Sequence, residues 1–166
     1  MSAVLSSTEN YISSFDIDIF YCQIAVFQAG LKNPFNDWTE THVQQGFSWR
    51  AESVSFGTLD ESGKAAVYIT IPKNLILKPN TIRAIKVPFT VPQNGLVEIG
   101  SVTETQTVEI DSGTYELLFE TGFKQEGLMW CQFSFCRSDH PTAMVLRADD
   151  QLNVPEHLLL SAGPAV

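Results

Sequence analysis

Histidine and cysteine side chains are the groups best suited to catalysis near neutral pH, and their spacing here does not favour it. His42, His140 and His157 are far apart in the sequence, and no HxxxH or CxxC pair of the kind that builds zinc sites is present. A hydrolase assembled from distant residues would need an acid–base pair around His42, and this is kept as a third alternative. The sequence therefore predicts no catalytic residue, no metal site and no cofactor.

The three cysteines, Cys22, Cys131 and Cys136, are an odd number, which argues against a disulfide framework. All three lie in apolar segments, where cysteine usually behaves as a small buried hydrophobic residue. The N-terminal segment lacks the positive charge and apolar run of a secretory signal. No stretch approaches the roughly 20 apolar residues that cross a bilayer. These features predict a cytoplasmic protein that contacts a membrane, if at all, through a partner.

Charge is unevenly distributed along the chain. Its 19 acidic and 10 basic residues give a formal net charge of −9, which disfavours direct binding to nucleic acid. Five basic residues and no acidic one occur between Lys64 and Lys86, whereas seven acidic residues and one basic one occur between Glu98 and Glu126. One interpretation is that alternating strands turn these charges to solvent. The alternative is an acidic surface that binds a basic partner.

A short helix is predicted near residues 38–45. Asp37 precedes Glu40 by three residues, the spacing of a capping box, and Gly46 can end the helix in the left-handed conformation. A helix this short is marginal alone and must pack against its surroundings. Trp38 at its start has two interpretations, packing against the first strand or contact with a partner.

The rest of the chain is typical of an all-β protein. About ten short segments of β-branched and aromatic residues, separated by turn signals every eight to twelve residues, predict an antiparallel β-sandwich. Residues 15–28 are predicted as one strand, 60–63 as a hairpin turn and 156–160 as one helical turn. The prediction is a single domain over residues 1–166, with residues 1–13 as a loose arm.

Three sequence blocks carry a family resemblance. Residues 25–47 (AVFQAGLKNPFNDWTETHVQQGF), 86–99 (KVPFTVPQNGLVEI) and 111–123 (DSGTYELLFETGF) resemble the competence protein J family of bacteria in order and spacing. The resemblance runs from about residue 20 to 123, and residues 124–166 extend beyond it. Named members of that family inhibit the DNA-entry nuclease made during natural transformation.

The resemblance implies a non-catalytic acidic inhibitor of a basic nuclease. Carboxylates would stand where the nuclease expects phosphates, and opposite charge would accelerate binding and make it sensitive to salt. Charge placement marks six candidate contact residues, and Trp38 is added to them as a tryptophan that can anchor an interface; the six are Asp37, Glu40, Glu104, Glu109, Asp111 and Glu116. No direct contact with nucleic acid and no membrane insertion are expected, and a homodimer is an open option.

A different class of function fits the same composition. A β-sandwich can bind a small ligand or carbohydrate, or associate with itself, because fold does not fix function. An aromatic-lined concavity with convergent polar groups would favour ligand binding. A contiguous acidic patch without a deep pocket would favour the inhibitor.

Overall fold

The computed structural model describes residues 10–166, which form eleven strands and one short helix. The strands are β1 (Tyr11–Ile19), β2 (Gln23–Gln28), β3 (Phe47–Arg50), β4 (Ser53–Gly57), β5 (Gly63–Thr70), β6 (Arg83–Val91), β7 (Leu96–Gly100), β8 (Thr105–Glu109), β9 (Gly113–Phe123), β10 (Met129–Arg137) and β11 (Met144–Arg147), and the helix is α1 (Glu40–Gln45). Residues 1–9 of the arm predicted at 1–13 lie outside the described residues, and residues 11–13 belong to β1. Organisation as a single domain stays a prediction.

Two sheets make up the fold. One has six strands in the order β1-β5-β10-β9-β6-β11, and the other has five in the order β3-β4-β2-β7-β8. Neighbouring strands are antiparallel except for β5 and β10, which are parallel. The predicted all-β sandwich with one short helix is confirmed, with this parallel pair as its departure from a wholly antiparallel arrangement. None of the described helices is long and apolar enough to cross a membrane.

Alternating apolar residues fill the space between the sheets. Every second residue of β6 from Ile85 to Val91 is buried in the core, as its alternation predicts. Three aromatic rings join the layers: Phe56 of the five-stranded sheet stacks on Phe119 of the other with ring centroids 4.7 Å apart, and Phe133 lies 5.5 Å from Phe119. All three side chains are fully buried, so they contribute strongly to holding the two sheets together.

The predicted continuous strand over residues 15–28 is wrong. Tyr21 and Cys22 adopt left-handed conformations, with φ of 59° and 56°, and the chain turns there from the six-stranded to the five-stranded sheet. The predicted hairpin turn at residues 60–63 is also wrong, because β4 and β5 belong to different sheets. Both turns instead connect the two layers of the sandwich.

Helix α1 begins later than its capping pattern predicts. Thr39, two residues after Asp37, is the N-cap, because its side chain accepts from the His42 backbone N–H while the His42 ring accepts from the Thr39 N–H. The predicted cap at Asp37 is therefore wrong. The predicted stop at Gly46 is confirmed, with φ of 89°. Residues 156–160 form no helical turn; they begin with a bend, and the Leu159 backbone bonds to the Gln45 side chain of α1.

Candidate partner-binding surface

Three turns meet at one end of the sandwich, together with α1. Gln23 of β2 pairs with Gly57 of β4, and Ala25 pairs with Gly100 of β7. This register places the β1–β2, β4–β5 and β7–β8 turns, residues 20–22, 58–62 and 101–104, at the same end. The Trp38 indole N–H donates to Gln23 Oε1 over 3.1 Å, which fixes the start of the helix there. We call this region the α1 end.

Four of the seven predicted contact residues lie at the α1 end. Asp37 and Glu40 are exposed beside the half-buried Trp38, and Glu104 is exposed in the β7–β8 turn. The Glu104 Oε1 atom accepts a hydrogen bond of 3.0 Å from the Asp18 backbone N–H, which ties the edge of one sheet to the other. The structure therefore brings together residues that are up to 67 positions apart in the chain.

Glu109 and Asp111 lie at the opposite end. Strand β8 separates Glu104 from Glu109 by about 16 Å at 3.3 Å per residue. Glu109 and Asp111 line a shallow cavity together with Arg137. The Arg137 guanidinium donates to the Ser112 carbonyl over 2.9 Å, so a positive charge already stands beside these two carboxylates.

Glu116 is engaged within the protein. Its Oε2 atom accepts from the Thr142 backbone N–H at 2.9 Å and lies 3.3 Å from the Lys86 ammonium. Burial acts to raise the pKa of Glu116, but the hydrogen bonds from Thr142 and Lys86 and the charge of Lys86 outweigh it, so the pKa is lowered. These contacts join β9, β6 and the segment before β11.

A groove that the sequence did not reveal opens at the α1 end. It has a volume of about 400 Å³, and Tyr21, Trp38, Val43 and Leu152 are among the residues that line it. Tyr21 is 75% exposed and Val43 is 59% exposed. Sequence reasoning missed Tyr21 because the run around it contains no Gly, Pro or Asn to signal a turn.

An ion pair forms part of the groove wall. Arg83 is 2% exposed, and its Nε and Nη2 atoms donate to the two carboxylate oxygens of Asp149 over 2.7 and 2.9 Å. Its Nη1 atom donates to the Gly57 carbonyl over 2.7 Å. Burial acts to raise the pKa of Asp149, but the hydrogen bond and charge of Arg83 outweigh it, so the pKa is lowered. The Arg83 guanidinium is therefore engaged in contacts within the protein.

His42 is buried in the packing around α1. The ring is 2% exposed, its Nδ1 atom accepts from the Thr39 N–H, and its Nε2 atom donates to the Ser161 carbonyl over 2.9 Å. The backbone partners assign the proton to Nε2. Within residues 10–166, no three His, Cys, Asp or Glu side chains converge as a metal site would require.

The cysteines divide by exposure. Cys131 is fully buried, as predicted, and burial raises the pKa of its thiol to about 12. The prediction of a buried Cys22 is wrong, since this residue lies exposed in the left-handed β1–β2 turn. Burial, followed by the nearby Glu61 carboxylate, raises the pKa of Cys22 more modestly. Cys136 is half-buried.

We expect a chromogenic disulfide reagent at pH 8 to label Cys22 first and Cys131 only when the protein unfolds. The reagent reacts with thiolate, and both exposure and thiolate fraction are larger at Cys22. Labelling should be followed by absorbance with and without denaturant. Cys22→Ser should remove the fast phase and leave the denaturant-dependent phase. Labelling of Cys131 in the native protein at the rate of Cys22 would contradict the burial described here.

Comparisons with known proteins agree with this architecture. A family model described as competence protein J (ComJ) matches residues 16–136. The crystal structure of ComJ from Bacillus subtilis, described as an inhibitor of the DNA-degrading activity of NucA, superposes with a TM-score of 0.69 at 18% identity, covering 80% of this chain and 100% of that one. A second solved structure, described as crocagin biosynthetic gene J, gives a TM-score of 0.48 at 12% identity over 76% of this chain and 99% of that one.

No curated protein sequence matches the chain. The family model covers well over half of the described residues, and it includes α1 and every strand from β2 to β9. The fold of the Bacillus subtilis protein agrees with that assignment. The chain therefore belongs to the competence protein J (ComJ) family.

Proposed function

We propose that this protein is a non-catalytic inhibitor of a DNA-degrading nuclease that acts in bacterial competence. The observation that carries the proposal is membership of the ComJ family over residues 16–136. ComJ from Bacillus subtilis, which has the same fold, is described as an inhibitor of the DNA-degrading activity of NucA. The partner is then a protein, and direct contact between this chain and DNA is not needed.

Electrostatics support this function. A nuclease that is not selective for sequence must hold the phosphate backbone with basic side chains. A protein with a net charge of −9 is attracted to such a site, and exposed carboxylates can occupy the positions of phosphates. Inhibition by this route weakens as salt screens the attraction.

The α1 end is the better of the two acidic regions for this contact. Its exposed carboxylates include Asp18, Asp37, Glu40, Asp60, Glu61 and Glu104, and they outnumber the lysines at this end, Lys64 and Lys124. At the opposite end, Arg137 stands beside Glu109 and Asp111, and Glu116 is paired with Lys86. We therefore propose Asp37, Trp38, Glu40 and Glu104 as the main contacts, with Glu109, Asp111 and Glu116 contributing less.

Reversal of charge at the α1 end tests the proposal. We expect Asp37→Lys combined with Glu40→Lys to raise the inhibition constant for a NucA-type nuclease from the same organism by about tenfold or more at low salt. Both side chains are exposed, so thermal stability should change little. The measurement is DNA cleavage against inhibitor concentration at two salt concentrations.

Glu109→Lys is the comparison variant, since it reverses a charge that is also exposed but lies at the other end, where we propose a smaller contribution. It should leave the inhibition constant within about threefold of the unchanged protein. A larger loss from Glu109→Lys than from the double variant would move the contact to the opposite end. A wild-type chain that leaves cleavage unaffected at every concentration would refute inhibition altogether.

Ligand binding is the second candidate, because one cavity favours it. A cavity of about 700 Å³ lies between β10 and the loop after β5, and Asn74, Gln132 and Ser134 are among its lining residues. Gln132 is 4% exposed, and within residues 10–166 its Oε1 atom has no hydrogen-bond partner. A hydroxyl-rich ligand such as a sugar could donate to it. A rise in Tm with added monosaccharides, absent in Gln132→Leu, would support this candidate.

A further inference from the structure

We propose that the groove at the α1 end is the docking site of the nuclease and receives an apolar side chain that basic residues of the nuclease flank. This inference rests on the proposed function and specifies the surface that performs it. The proposed surface contains three apolar residues in addition to the carboxylates. These residues, Tyr21, Trp38 and Val43, are called the apolar anchor.

Exposed apolar side chains form the entrance of the groove. Tyr21 projects from the β1–β2 turn with 75% of its surface exposed, and Val43 projects from α1 with 59% exposed. Trp38 and Leu152 line the wall between them. Aromatic side chains around a pocket are typical of the few residues that dominate binding energy at protein interfaces, and an apolar concavity within a polar surround often marks a binding site.

The turn that carries Tyr21 is held rigidly. The Cys22 N–H donates to the Glu61 carbonyl and the Cys22 carbonyl accepts from the Thr58 N–H, both over 2.9 Å. These bonds hold two left-handed residues that are not glycine, a conformation that costs roughly 1–2 kcal/mol per residue. A surface fixed in advance loses less conformational entropy on binding, so the turn is suited to recognition.

Carboxylates lie on both sides of the groove and define the partner's chemistry. Asp37 and Glu40 flank Trp38 on one side. On the other side Glu61 and Asp60 are close enough to the Cys22 thiol to contribute to the rise in its pKa, after burial itself. A partner with basic residues around an apolar one complements this arrangement. A second copy of this chain would bring like charges together, and the net charge of −9 opposes that pairing.

Two substitutions remove the apolar anchor while preserving the backbone. Tyr21→Asn introduces a residue that tolerates the left-handed conformation. Val43→Lys introduces a better helix former than valine and a charge that repels a basic partner. We expect each to raise the inhibition constant by about 30-fold in the nuclease assay. Ile76→Lys is the control, because Ile76 is 79% exposed and lies in the loop after β5, away from the groove.

The outcomes separate this inference from the proposed function. Docking at the groove is supported if both groove variants lose inhibition while Ile76→Lys inhibits as well as the wild type. The Tm values of all three variants should then match that of the wild type. Full inhibition by both variants overturns the docking site and leaves the inhibitor function standing. A shift in sedimentation from dimer to monomer in Val43→Lys, with inhibition unchanged, overturns it in favour of self-association. If the wild-type chain inhibits no nuclease, the function fails first and the docking site with it.

Discussion

Asp149→Ala is expected to lower the free energy of unfolding by about 3–5 kcal/mol. The substitution leaves the Arg83 guanidinium, which is 2% exposed, without the carboxylate that accepts two of its hydrogen bonds. Removal of one partner of a buried ion pair leaves an uncompensated charge in a poorly solvated site. Urea denaturation followed by tryptophan fluorescence measures the loss.

Asp150→Ala is the control, since Asp150 is adjacent in sequence and exposed, and it should change the free energy of unfolding by no more than about 0.5 kcal/mol. Arg83 Nη2 also donates to Gln151 Oε1 over 3.0 Å. A loss below about 1 kcal/mol for Asp149→Ala would mean that Gln151 and the Gly57 carbonyl satisfy Arg83 without Asp149. That result would contradict the role of the ion pair described here.

The same pair gives the stability a defined dependence on pH. The folded-state pKa of Asp149 is lowered, so its contribution is fully present above the unfolded-state pKa of about 3.9. It is lost as pH falls through the lower folded value. The wild-type protein should therefore lose its advantage over Asp149→Ala as the pH falls below about 4.

Phe119→Ala is expected to cost about 3–5 kcal/mol of unfolding free energy. The Phe119 ring stacks on Phe56 across the sandwich and contacts Phe133 beside it, with all three fully buried. A smaller side chain leaves a cavity between two sheets whose strands can shift little to fill it. Guanidinium denaturation should show a lower midpoint with an unchanged slope.

Phe123→Ala is the matched control for this substitution. Phe123 lies on the same strand, β9, but is 37% exposed, so its loss should cost about 1 kcal/mol or less. Equal losses at the two positions would contradict the assignment of Phe119 to the centre of the core.

Much of the fold could be predicted from local patterns. Apolar residues occur at every second position of β6 from Ile85 to Val91, and all of them lie in the core. Gly46 identified the end of α1 because a left-handed stop is mainly a property of one residue and its neighbours. Such features depend on nearby residues alone, so they can be predicted from the sequence.

Two features were misplaced for different reasons, one a set of distant contacts and the other an unusual local residue. Tyr21 and Cys22 are left-handed because backbone bonds from Thr58 and Glu61 hold them there. The cap moved from Asp37 to Thr39 because His42 replaces the usual Glu or Gln at the third position of the helix. The partners of Cys22 lie 36 and 39 positions away in the chain, whereas His42 is only three residues from Thr39 and was missed because histidine is not part of the usual capping pattern.

The candidate site could be predicted only in part for a related reason. Glu104 and Glu109 are close in sequence, but an extended strand carries them to opposite ends of the sandwich. Asp37 and Glu104 are distant in sequence, yet the pairing of β2 with β7 places them at the same end. Charge counted along the chain therefore does not measure charge on a surface.

The tail after β11 has a consequence for how the protein could be inactivated. Two hydrogen bonds join Leu159 to the side chain of Gln45, and Ser161 accepts from His42, so the tail anchors α1 from outside the family-matched residues. A six-residue helix has little stability of its own. Residues 153–157 are largely exposed, and proteases prefer such segments. A single proteolytic cut there is therefore expected to loosen α1, and with it the proposed partner-binding surface, while the two sheets of the sandwich stay intact.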